Sequence, residues 1–154
     1  MKIDRDWIQA HIPHHGGMCL LHEVDRWDNT EIYGSARSHT APDNPLRNAQ
    51  GLPISAGIEY AAQAMAVHGA LLAPVDQLAQ VGYLTSVRNV EWWTPRLDDV
   101  GFEITVQATR ISGNEVGLLY DFGILCNDRL LLRGRAGVMI KPPAPPRNPL
   151  APRP

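Results

Sequence analysis

The chain has 154 residues, room for one domain with a core of its own. Fourteen Lys and Arg oppose sixteen Asp and Glu, a formal charge of -2, which gives no basic footprint for nucleic acid or an anionic membrane surface. With 44% hydrophobic residues the whole cannot be disordered, and two cysteines, Cys19 and Cys126, supply neither a disulfide framework nor a zinc cluster.

In chain order, the opening MKIDRDWIQAHIP is too charged and too interrupted for a signal peptide. The longest uncharged stretch of the body, residues 60–75, falls short of the roughly 20 residues of a membrane span. A protein of the cytoplasm is expected. Residues 20–27 and 31–39 flank the polar break Asp28-Asn29-Thr30 and read as a hairpin. Residues 55–72, SAGIEYAAQAMAVHGALL, lack β-branched runs and predict a helix of about five turns. It is apolar nearly all round, so it should be buried.

Strands follow at residues 81–93, 102–111, 115–126 and 129–140. The second of these alternates, placing Phe102, Ile104, Val106, Ala108 and Arg110 on one side. Alternation likewise sets one of Trp92 and Trp93 inside and the other outside. Ser112-Gly113-Asn114 and Asn127-Asp128 are the turns of a meander. Seven of the thirteen prolines fall in KPPAPPRNPLAPRP, so residues 141–154 are read as an extended tail outside a single domain of residues 1–140. Two strands, one buried helix and four strands predict an α+β fold: a long antiparallel sheet wrapped around a central helix.

Two stretches sharpen this. IPHHGGMCLLHEV, residues 12–24, is similar to the start of the hot-dog 3-hydroxyacyl-acyl-carrier-protein dehydratases, with Pro13, His14, Leu20, Leu21 and Val24 matching and His22-Glu23 replacing the usual Asp-Arg. LPISAGIEYAAQA, residues 52–64, keeps that family's register of Pro53, Glu59 and Gln63. TPRLDDV fits more loosely, and PHxGxMCLL, NPLR and GIEYAAQAMAVHG resemble the small dehydratase-type hot-dog proteins of aryl polyene biosynthesis. The resemblance implies dehydration of acyl chains tethered to an acyl carrier protein. It implies neither a metal nor a diffusible cofactor, and an active site at the interface of a hot-dog dimer, homo- or heterodimeric.

Dehydration needs a base for the proton beside the thioester carbonyl, an acid for the leaving hydroxyl, and a group that polarises the carbonyl. The start of the helix supplies the last through its unpaired amides. Gly57 would leave room there for the thioester. Glu59, at the family's acid position, is expected to be the acid, its pKa raised by burial among Ala and Met. An ordinary first-turn glutamate is the plainer alternative. Gln63, at i+4, would orient the carboxyl group or serve a backbone carbonyl in the core.

The family's His-Phe-Pro base is absent, because eight residues before Pro53 stands Pro45. His39, ending the second strand before TAPDNPLR, is the candidate replacement base, against a strand-end histidine facing water. His14 falls on a family position read as structural. His68, nine residues after Glu59, points to the opposite helix face, a core or interface histidine. Arg47 is the candidate for a phosphate of the carrier's phosphopantetheine arm, with Arg88, Arg96 and Arg110 as alternatives. Two other readings share the scaffold: an acyl thioesterase, and a non-catalytic hot-dog subunit completing a heterodimer.

Overall fold

A computed structural model of the chain describes residues 2–14, 16–74, 81–141 and Leu150. His15 and, apart from Lys141 and Leu150, the expected tail lie outside the described residues.

The first element, α1 (Arg5–His11), was not anticipated. Its cue is the Asp4 cap, whose side chain accepts from the Trp7 amide at 2.9 Å, with Ile8 fully buried behind it. β1 (Glu23–Trp27) and β2 (Glu31–Ala36) form the expected hairpin, turned by Asp28, whose Oδ1 accepts from the Thr30 and Glu31 amides at 2.8 Å each. Both strands are shorter than their apolar patterns suggest. The Leu20 amide bonds to a side chain of the helix, so no regular ladder starts there. After Ala36 the chain curls into a 3-10 turn, Ser38–Thr40.

The long helix α2 (Gly57–Leu72) follows a 3-10 turn at Ile54–Ala56. β3 (Val81–Trp92), β4 (Ile104–Gly113), β5 (Gly117–Cys126) and β6 (Arg129–Lys141) complete one six-stranded sheet in the order β1-β2-β4-β5-β6-β3, every neighbour antiparallel. Asn127 and Asp128 join β5 to β6 with φ of 51° and 63°, the mirror-image turn that matches strand twist. The edges of the sheet are β1 and β3.

One face of the sheet closes on α2. Ile104, Val106 and Ala108 of β4, Tyr120 and Ile124 of β5, and Leu132 and Ala136 of β6 pack with Tyr60, Ala61, Ala64 and Val67 of α2, all at most 1% exposed. Burial is worth about 1.5–3 kcal/mol for each large apolar side chain. Phe102 does not share that face. It precedes the strand, is 69% exposed, and carries the Arg37 guanidinium over its ring at 5.0 Å. Trp92 and Trp93 are both exposed, because β3 ends between them and Trp93 leaves the pleat under the Arg133 guanidinium.

The helix is not buried all round. Ile58, Glu59, Ala62, Ala66 and Ala70 form a half-exposed stripe of mostly small apolar residues. Among the described residues no helix is long and apolar enough to cross a membrane.

His68 is on the core side, as its spacing from Glu59 indicates. Its Nε2–H donates to the Asp28 carbonyl at 2.8 Å, which leaves Nδ1 to accept from the Tyr120 hydroxyl at 2.6 Å. Burial pushes the His68 imidazole below its ordinary value and the Tyr120 hydroxyl up to about 12, so both stay neutral. Burial also lowers His39. Two histidines kept neutral in the fold bind fewer protons than the unfolded chain below an unfolded value of 6.5. Their contribution to stability is therefore full above about pH 6.5 and declines as the pH falls below it. The melting temperature should drop on acidification from pH 7.5 to 5; a flat profile over that window contradicts the assignment.

Candidate active site

The chain enters α2 along a short antiparallel bridge. Leu97 N–H donates to the Leu52 carbonyl at 2.9 Å and Ile54 N–H to the Pro95 carbonyl at 3.0 Å. The Asp98 carboxylate fixes this corner by accepting from the Leu52 amide at 3.1 Å and from Arg96 at 2.6 and 3.0 Å. The Arg96 bonds hold Asp98 far below the usual carboxylate range. No side chain caps the helix start; instead backbone carbonyls take up its leading amides, Ile54 N–H donating to the Pro95 carbonyl, Ala56 N–H to the Pro53 carbonyl and Gly57 N–H to the Ile54 carbonyl. Beside it lies a shallow depression of about 330 Å³ lined by Leu46, Pro53, Ser55, Ala56, Ile58 and Glu59.

Glu59 is in the first turn of α2, at the rim of that depression. Its side chain is 36% exposed, so the expected enclosure among Ala and Met is not found: those residues face the sheet while Glu59 faces out with Ile58 and Ala62. The imidazole that meets it is His14, with Nε2 3.2 Å from Oε1. The His14 side chain is 27% exposed, and its Nδ1 is buried without a partner among the described residues.

His39 is not at the site. The turn that ends β2 swings its ring inward, where it is fully buried and its Nε2–H donates to the Gly101 carbonyl at 2.7 Å. Neither the water-facing position nor the reach toward the helix start is realised.

Gly57 also differs from expectation. A Cβ there would lie 2.6 Å from Leu132 Cδ2 and 3.1 Å from Ile124 Cγ1, so the missing side chain admits the sheet, not a thioester. Elsewhere in a helix Gly→Ala gains up to about 1 kcal/mol. Here Gly57→Ala should destabilise by about 1–3 kcal/mol through overpacking, as measured by denaturant unfolding.

Gln63 is fully buried and does not touch the carboxyl group; it serves the backbone. Its Nε2 donates to the Met18 carbonyl at 2.7 Å and its Oε1 accepts from the Leu20 amide at 2.9 Å. Arg47 lies 3.6 Å from Asp98, sharing that carboxylate with Arg96. Its neighbour in sequence, Leu46, lines the depression; Arg47 itself does not.

The 3-10 turn Gly16–Met18 brings His14 to the helix, and side chains hold that turn. Arg5 donates to the Gly16 and Cys19 carbonyls at 2.9 and 3.1 Å. The Leu20 carbonyl accepts from Ser38 Oγ at 2.8 Å, and Tyr60 and Asn44 continue the same chain of bonds. Among the described residues no three metal-ligating side chains converge.

A six-stranded antiparallel sheet wrapped on one helix, with a carboxylate–imidazole pair at the helix start, defines a hot-dog protein. Residues 7–147 match the ApeP dehydratase family, and the chain belongs to this ApeP-like family. Its fold is similar to the dehydratase heterocomplex ApeI:P from Xenorhabdus doucetiae at 22% identity and TM-score 0.79, covering 88% of this chain and 91% of that one. It is also similar to a mutant thioesterase from Pseudomonas aeruginosa at 16% identity and TM-score 0.64, covering 89% and 93%. A third match is a mutant thioesterase from Staphylococcus aureus, at 18% identity, TM-score 0.59 and coverage of 77% and 92%. Comparison with curated protein sequences gives no match.

Proposed function

We propose that the chain dehydrates 3-hydroxyacyl thioesters carried on acyl carrier protein to 2-enoyl thioesters, in the cytoplasm, for an aryl polyene or fatty-acid-like pathway. The observation that carries this reading is the Glu59–His14 pair at the start of α2 beside a shallow depression of mixed polarity. The thioester carbonyl lies near the start of α2, whose positive dipole end stabilises the negative charge that develops on its oxygen. The step requires a proton on the Glu59 carboxyl and a lone pair on His14 Nε2. Nε2 takes the proton from C2 and the C–H electrons become the C2=C3 bond. The C3–O bond then breaks, and the hydroxyl leaves as water with the Glu59 proton. The imidazolium returns its proton to the carboxylate across 3.2 Å, and the pair is reset. Arg47 serves the phosphate of the carrier's arm.

The site is completed by a second hot-dog subunit. β3 is a 12-residue edge strand, and a long unpaired edge invites pairing across a two-fold or pseudo-two-fold axis. The half-exposed stripe of α2 would be buried by the same partner, and with it Glu59. The likeness to a dehydratase heterocomplex favours a partner of different sequence.

The test offers the chain, alone and after co-purification of its partner, 3-hydroxyacyl and saturated acyl thioesters of carrier protein. Enoyl product from the first supports the proposal. Free thiol from the second makes it a thioesterase instead, and turnover that survives loss of Glu59 in the mixed complex reduces this chain to a supporting subunit.

A further inference from the structure

The loop that carries His14 is held by Arg5 and Ser38 and is tied to α2 by Gln63. The Gln63 amide makes two bonds, both to this loop: it donates to the Met18 carbonyl and accepts from the Leu20 amide, at 2.7 and 2.9 Å. A side-chain amide bridging a carbonyl and the amide two residues on imitates one rung of a sheet, and it fixes the loop in distance and rotation. Glu59 sits one turn earlier on the same helix, about 6 Å along its axis. The loop and the helix therefore meet at two neighbouring points, Gln63 with Met18 and Leu20, and Glu59 with His14. The first point is buried and doubly bonded. The second is half exposed and is a single contact, so the first is the firmer of the two links between loop and helix.

We propose that Gln63 is a positioning residue that sets the distance between His14 and Glu59, and so the geometry of proton transfer, without touching substrate. This rests on the assignment of that pair as the reacting groups. A displacement of about 1 Å at such a pair costs on the order of 100-fold in rate.

The experiment is a double-mutant cycle on the partnered protein, with turnover measured at saturating 3-hydroxyacyl carrier-protein thioester. Gln63→Met keeps the length of the side chain and removes both bonds; it should lower kcat on the order of 100-fold with KM little changed. In a His14→Ala background the same substitution should cost less than about threefold, because the group it positions is gone. Losses that multiply in the double variant overturn the proposal, as does an unchanged kcat in Gln63→Met.

If Gln63→Met does not fold, Gln63→Glu replaces it. The protonated glutamic acid restores both bonds, so its kcat relative to wild type should rise as the pH is lowered; a flat ratio counts against the clamp. Should the wild type form no enoyl product, the catalytic reading fails and the clamp is judged separately. The His14 imidazole ¹⁵N resonance at fixed pH must respond to Glu59→Gln in the wild type and not in Gln63→Met. An equal response in both sinks it.

Discussion

Glu59→Gln is expected to lower turnover of a 3-hydroxyacyl thioester by about 10²- to 10⁴-fold, the usual cost of losing a positioned acid or base. The amide keeps the shape of the side chain and has no proton to give to the leaving hydroxyl. It also cannot take back the proton that His14 Nε2 receives across 3.2 Å. His14→Ala should fall in the same range, and the double variant should lose little more than either single one, because the two groups act as a unit. His39→Ala reports elsewhere. It removes a buried bond to the Gly101 carbonyl, so the expected loss is in melting temperature, with kcat retained. Stopped turnover in His39→Ala with folding intact would return that histidine to the site and displace His14. Ultraviolet detection of the enoyl thioester, with melting curves on the same preparations, reads all of these outcomes.

His68→Ala is expected to be the most damaging single change to the fold, about 3–5 kcal/mol. The truncation opens a cavity in a packed core between α2 and β5. It also strands the Tyr120 hydroxyl, fully buried and 2.6 Å from Nδ1, and removes the bond to the Asp28 carbonyl. The orphaned buried hydroxyl adds about 1–3 kcal/mol. Combining it with Tyr120→Phe should recover part of the loss, since the stranded hydroxyl is then gone. Chemical unfolding measures the cycle, and a loss below about 1 kcal/mol in the single variant would mean that the pair bears little of the fold.

Residues 55–72 could be read as a helix that buries most of its surface because they hold only one charge, although Ile58, Glu59, Ala62, Ala66 and Ala70 stay half exposed. The hairpin turns were legible for a similar local reason: Asn127 and Asp128 tolerate positive φ, and Asp28 bonds its own backbone. The position of Glu59 in the first turn followed from Pro53 and the register of the helix. What side chains other than Glu59 would do was less legible. Gly57 looks like a substrate gap from sequence, yet only the approach of Leu132 and Ile124 shows what its missing Cβ admits. For Gln63 the sequence left two readings open, and the position of a loop more than forty residues earlier chose the backbone role.

The histidine shows this division best. His39 lies close in sequence to the helix start and seemed able to reach it, but the Ser38–Thr40 turn directs its ring toward Gly101. His14 lies 45 residues before Glu59, and a folded-back turn held by Arg5, Ser38 and Gln63 brings it there. Apolar periodicity, turn chemistry and helix composition are local properties, and they determined most of the elements, their order and the place of Glu59 near the helix start, although not α1. Which imidazole meets Glu59, that Gly57 serves packing and that Gln63 serves the backbone depended on long-range contacts whose closure no local pattern encodes, so only the tertiary structure decided them.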